Sequence, residues 1–202
     1  GALLRWGLFD SALSKVGFYF QHFIFSNGTI DMGHWKDKWA DLGDGQYNCT
    51  YPDGLTDHGR MLQLFADTVR YTRNETWMAQ HIGAAARIGE YLLRARNESL
   101  VKFPQGDPRY GMIYGPAEHD TCSMGMGGMN GQPAQPLTDG QYMLYYFSVS
   151  MWSWRGMVEL GTLLRDYPCD KADFAKPQCK MGRQLSATLL TEAQKFKADI
   201  DA

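Results

Sequence analysis

Residues 141–165 read QYMLYYFSVSMWSWRGMVELGTLLR, and this stretch decides the fold. Met143, Leu144, Tyr145, Tyr146, Phe147, Val149, Met151, Trp152, Trp154, Met157, Val158, Leu160, Leu163 and Leu164 leave almost no polar face when wound as a helix. A helix that is apolar nearly all round is buried, so the stretch predicts an interior helix from Gln141 to Arg165. Its neighbours read differently. From Thr56, a good N-cap followed by Asp57, the positions Met61, Leu64, Phe65, Thr68, Val69 and Thr72 recur at helical spacing on one face. The short Arg73-Asn74-Glu75 turn then predicts a hairpin with a third helix over Thr76–Arg94, whose Gly83, Ala84, Ala85, Ala86 and Gly89 permit close packing. A first helix is expected over Leu3–Phe20 and a fifth, amphipathic, over Met181–Ile200. Short strands are expected at most over Phe23–Ile30 and Gly111–Tyr114, so the fold class is all-α.

Composition sets the outer bounds. The chain has 202 residues, is 44% hydrophobic and 21% charged, and carries a formal net charge of -2, which suits one domain over 1–202. There is no basic footprint, which argues against nucleic acid. The most apolar N-terminal stretch, Ala2–Phe25, is interrupted by Arg5, Asp10, Lys15 and His22. A membrane span needs roughly 20 nearly uncharged residues, so none is expected. Nor does the start read as a signal peptide, and because the chain opens at Gly1 an upstream segment is expected to have been removed.

Four glycosylation sequons begin at Asn27, Asn48, Asn74 and Asn97, all at expected turns or helix ends, where a glycan fits. The four cysteines suit two disulfides: Cys169 and Cys179 bracket a short Pro/Asp/Lys-rich loop, leaving Cys49 with Cys122. Sequons and cysteines together point to a secreted or lumenal protein. No Cys-x-x-Cys or His-Glu-x-x-His spacing appears, so no metal is expected. The glycine-rich run 124–131 lacks the Lys-Ser/Thr of a phosphate loop and reads as a surface loop; no cofactor is expected.

The loops carry a resemblance. Tyr51-Pro52-Asp53-Gly54-Leu55-Thr56-Asp57-His58-Gly59-Arg60 leads into the second helix, and Tyr110-Gly111-Met112-Ile113-Tyr114-Gly115-Pro116-Ala117-Glu118-His119-Asp120 precedes Tyr142 and the Trp152-Ser153-Trp154-Arg155-Gly156 helix. In pattern, over about 31–166, this resembles the six-hairpin glycosidases, whose (α/α)6 toroid has inner and outer helical rings around a sugar cleft. The resemblance implies helical hairpins forming part of such a toroid and a carbohydrate ligand. A hairpin with loops takes about 50–60 residues, so six need well over 300. The chain is therefore expected to be a fragment or subunit that needs a partner chain or a missing remainder.

Glycoside hydrolysis needs a proton donor and a second carboxylate as base or nucleophile. The candidates are Glu118, beside a Gly-Pro turn and His119, with Asp120 and Asp53. Capping, or pairing with Arg109 or Arg155, competes for Glu118 and Asp120; a Pro-Asp-Gly turn competes for Asp53, and Asp57 reads as an ordinary first-turn residue. His34, Trp35, Tyr114, His119 and Arg155 are candidates for substrate binding, through aromatic stacking and polar contacts. Arg155, in so apolar a helix, needs an anion: Asp120, Glu118 or an acidic sugar. Two other functions fit the same features. One is a non-catalytic structural glycoprotein subunit of an extracellular assembly; the other is a polysaccharide lyase using Tyr, His and Arg.

Overall fold

The computed structural model describes residues 2–30, 55–116, 143–145, 147–166 and 177–201. They form six α-helices: α1 (Ala2–Arg5), α2 (Phe9–His22), α3 (Leu55–Thr72), α4 (Glu75–Lys102), α5 (Phe147–Asp166) and α6 (Pro177–Asp201). One antiparallel ladder joins β1 (Gly115–Pro116) to β2 (Met143–Leu144), and an isolated bridge joins Ile24 to Ile30. The described chain is mainly helical, as its periodicity implies.

The α3–α4 hairpin is fixed by two residues. Arg73 takes a positive φ of 50°, and the Trp77 N–H donates to Asn74 Oδ1 at 2.9 Å, capping α4. Four boundaries differ from the sequence expectation. The first helix breaks at Gly7, whose φ of 73° ends α1 before α2 begins. Helix α4 runs past Arg94 to Lys102 because Arg96 is buried and anchored to α6, which overrides the weak local propensity of Asn97 and Ser99. Asn97 therefore lies within a helix, not at its end. Met143 and Leu144 join the ladder, so α5 starts at Phe147 and not at Gln141. Helix α6 starts at Pro177, a residue suited to a first helical turn because it lacks an N–H, and not at Met181.

Contacts order the five longer helices into two layers. Gly59 of α3 lies against Trp152 and Gly156 of α5, while Arg70 pairs with Glu159 further along, so α3 and α5 run side by side in the same direction. The other layer holds α2, α4 and α6. The Trp77 indole N–H donates to the Leu13 carbonyl and Gly17 touches His81, aligning α2 with α4; Gly89 meets Leu189 and Arg96 meets Asp199, aligning α4 with α6. Between layers the sense reverses: His58 stacks on Tyr91, and the Ser186 hydroxyl donates to the Gly161 carbonyl while Gly182 lies by Leu164. The core between the layers includes Leu62, Phe65, Ile88, Leu92, Met157, Leu160, Leu189 and Phe196, all fully buried. Helix α5 is enclosed toward its neighbours, yet Phe147, Arg155, Arg165 and Asp166 are exposed, so it is not buried on every side.

The α3–α5 contact depends on two glycines. A methyl group at Gly59 would lie 1.9 Å from the Trp152 carbonyl oxygen, and one at Gly156 would lie 2.6 Å from the Gly59 Cα. Backbone cannot give way as a side-chain tip can. Gly59→Ala or Gly156→Ala is therefore expected to cost about 3 kcal/mol, the upper range for overpacking, and to lower Tm by roughly 6–12 °C. Gly83 is the control: a methyl there meets only the Arg87 guanidinium, at 3.9 Å, so Gly83→Ala should leave Tm unchanged or raise it. Thermal denaturation of the three variants checks this.

Candidate active site at one end of the layers

Because the layers run in opposite directions, one end of the molecule gathers the starts of α3 and α5 with the ends of α2, α4 and α6. The opposite end carries the short α3–α4 turn. At the first end, α4 leads into 103–116, and the β1–β2 ladder brings Gly115 opposite Leu144 and Pro116 opposite Met143. The Ile113 N–H donates to the Ser150 hydroxyl at 3.2 Å, which seats this loop on the first turns of α5.

An aromatic group lies at the same place. Tyr145 packs edge-on to Phe103 with ring centroids 5.3 Å apart, and against Tyr114 at 5.1 Å. Arg109 lies over the Phe103 ring at 4.2 Å. Asp107 receives two bonds from the Arg109 guanidinium, at 2.9 and 2.8 Å, and one from the Arg109 backbone N–H at 2.9 Å. Those bonds favour the ionised form, so the Asp107 carboxyl is held down to about 2. Burial pushes the Tyr145 phenol up, which keeps its hydroxyl a hydrogen-bond donor well beyond neutral pH.

The titration of Asp107 offers a direct check. Its folded-state pKa is depressed, so its stabilising contribution is present above the ordinary value of 3.8 and is lost as pH falls through about 2. Arg109→Met removes both side-chain bonds but keeps the backbone N–H bond. A carboxyl-detected NMR titration should find the Asp107 midpoint near 2 in the parent and part of the way back to 3.8 in the variant.

At the start of α3, Asp57 is held above the ordinary carboxylate range by burial, against the lowering effect of Arg60. The Arg60 guanidinium lies 4.6 Å from the centroid of the Trp152 ring on α5. Arg60 and Tyr145 carry no binding signal in the sequence. Asp57 was read as a helix residue, and its displaced proton affinity becomes visible only from its burial.

Of the residues nominated from sequence, Tyr114 sits at this end within the aromatic group. Arg155 is also described, and it pairs with Glu159 one turn along α5. Glu159 is almost fully buried and is shared with Arg70, so Arg155 belongs to a bridge between α3 and α5. Asp53, Glu118, Asp120, His34, Trp35, His119, Asn48, Cys49, Cys122 and Cys169 lie outside the described residues, as does the side chain of Cys179. Among the described residues no group of His, Cys, Asp and Glu side chains is arranged to hold a metal ion. No described helix is long and apolar enough to cross a membrane. No family model, curated protein or solved structure matches the chain.

Proposed function

We propose that this chain is a glycoside hydrolase-like module acting on a secreted or lumenal glycan, built from helical hairpins of the kind that close into an (α/α)6 toroid. The observation that carries the reading is that the described junctions of two long segments, at Leu55 and at Pro116 and Met143, lie at one end of the helical layers. The segment bearing Asp53 enters α3 at Leu55, and the segment bearing Glu118 and Asp120 leaves the ladder at Pro116 and returns at Met143. Both junctions belong to the same end of the helical layers. Hydrolysis needs two carboxylates on opposite sides of one glycosidic bond, and segments joined to the layers at one end suit that need. Glu118 is assigned as proton donor and Asp53 as its base or nucleophile, with Asp120 beside them. Tyr114 and Tyr145 add ring surface for a sugar to stack on. Alternation of parallel helices in each layer also supports the toroid, since that architecture repeats the same arrangement around a ring.

The test is a reducing-end assay of the secreted chain against a panel of extracellular polysaccharides, run beside its Glu118→Gln and Asp53→Asn variants. Cleavage by the parent that both substitutions suppress supports the assignment. An unsaturated uronate product would replace hydrolysis with a lyase reaction.

One observation favours the alternative of a structural subunit. Trp6, Leu8, Phe9 and Phe18 present apolar side chains to solvent along α1 and α2, with Trp6 77% exposed. Exposed apolar surface of this kind suits a partner chain or a further part of the same protein. Absence of cleavage on every glycan, with a stable hetero-assembly isolated from the secreting cells, would select that reading.

A further inference from the structure

Residues 25–29, Phe-Ser-Asn-Gly-Thr, form the one sequon with an aromatic residue two positions before its asparagine; Gln46, Thr72 and Ala95 hold that position in the others. The structure makes this segment a closed and anchored turn. The Gly28 N–H donates to the Phe25 carbonyl at 3.1 Å, the Phe25 N–H donates to the Thr29 carbonyl at 2.9 Å, and Ile24 bridges Ile30. Helix α4 holds the turn from below: Arg87 Nε donates to the Phe25 carbonyl at 3.1 Å, and the Arg94 guanidinium donates to the Asn27 carbonyl. Gly28, at φ 91°, fits so closely that a methyl there would lie 2.1 Å from the Arg87 carbonyl oxygen.

Within this frame the asparagine side chain is oriented by its own sequon. The Thr29 backbone N–H and hydroxyl both donate to Asn27 Oδ1, at 3.0 and 2.7 Å, and neither bond uses the amide nitrogen. Asn27 is exposed, while Thr29 is buried. Phe25 is 48% exposed, although Ile24 and Ile30 beside it are buried. A rigid turn thus holds a modifiable amide and a bare aromatic ring two residues apart.

We propose that Asn27 carries an N-linked glycan whose first sugar stacks on the Phe25 ring; this rests on the secreted or lumenal reading. The donor is a lipid diphosphate-linked oligosaccharide. A bond forms from Asn27 Nδ2 to the sugar C1, the C1–O bond to the diphosphate breaks with its electron pair leaving on the diphosphate, and one Nδ2 proton passes to the transferase. The apolar C–H face of the linked sugar then covers the ring, removing from water an aromatic surface that the protein itself leaves open. The other sequons lack that ring. At Asn74 the side-chain oxygen caps α4, and Asn97 stands on a helix.

The experiment uses the full chain secreted from a glycosylating host, with glycans trimmed to the first sugar. Asn27→Asp removes the acceptor nitrogen but keeps the oxygen that Thr29 bonds. Site-resolved mass spectrometry should find Asn27 occupied, and the glycosylated chain should melt roughly 2–4 °C above Asn27→Asp, the shift of about one stacking contact in a chain of this size. In a Phe25→Ala background that gap should close. An unmodified Asn27, or a gap indifferent to Phe25, overturns the proposal. Glycan cleavage by a chain with a bare Asn27 would overturn it while leaving the hydrolase reading intact, and an inert chain with a stacked glycan would do the reverse.

Discussion

Glu118→Gln is expected to lower turnover on a natural glycan by about 10²–10⁴-fold, the usual contribution of a positioned proton donor. The amide is nearly isosteric with the acid, so the substitution removes the proton without removing bulk. Substrate choice separates this role from simple damage. An aryl glycoside whose leaving group needs no protonation should be cleaved by Glu118→Gln with a kcat/KM far closer to the parental value, because in the bond-breaking step the missing acid matters only for a poor leaving group. Asp53→Asn should fail on both substrates, since a base or nucleophile is needed whatever departs. The pH–rate profile supplies a second readout: the limb that reports the acid should disappear in Glu118→Gln and remain in Asp53→Asn. Equal losses on both substrates in both variants would remove the division of roles.

The largest expected effect on stability belongs to the joint between α4 and α6. Arg96 is 2% exposed, donates to the Gly111 carbonyl and to Asp199 Oδ2, each at 2.6 Å, and lies 4.6 Å over the Phe196 ring. Asp199 keeps 25% of its side chain in solvent. That asymmetry decides which partner is costlier to lose. Asp199→Ala leaves a guanidinium that water cannot reach with only Glu192, 3.9 Å from its Nε, as an acid partner, and is expected to destabilise by about 3–5 kcal/mol. Arg96→Met leaves behind the Asp199 and Glu192 carboxylates, each 25% exposed and open to solvent, fills the space with apolar atoms, and takes from the Gly111 carbonyl its Arg96 bond. Its cost should be nearer 1–3 kcal/mol. Gly111 belongs to the same joint: its φ is 73°, and a methyl there would sit 2.5 Å from both Arg96 Nη1 and Asp199 Oδ2. Denaturant titrations of the two variants rank the costs; the reverse order would contradict this account.

What the sequence made legible follows from the range of the interactions involved. The α3 pattern through Met61, Leu64 and Phe65, the tight turn at Asn74 and the apolar α5 are local signals, and all appear in the structure. The features that escaped are long-range. Nothing near Arg96 in the chain announces Asp199, so α4 seemed to end before it. The strand character of Met143–Leu144 exists only opposite Gly115–Pro116, and without that partner the run reads as more helix. The Arg155–Glu159 pair is different. Its one-turn spacing is a local signal that the sequence itself carries. At the candidate site, Tyr114 was legible from its setting among loop residues, whereas Tyr145 and Asp57 gain meaning only from the rings and burial around them.

On the proposed function, the segments that join α3 at Leu55 and the ladder at Pro116 bring Asp53 and Glu118 to one glycosidic bond. A crystal structure of the glycosylated chain with a non-cleavable oligosaccharide would measure this as the separation of the two carboxyl groups. The expected separation is roughly 5–10 Å with the sugar between them. Carboxyl groups well beyond that range, or both committed to arginine partners away from the sugar, would contradict it.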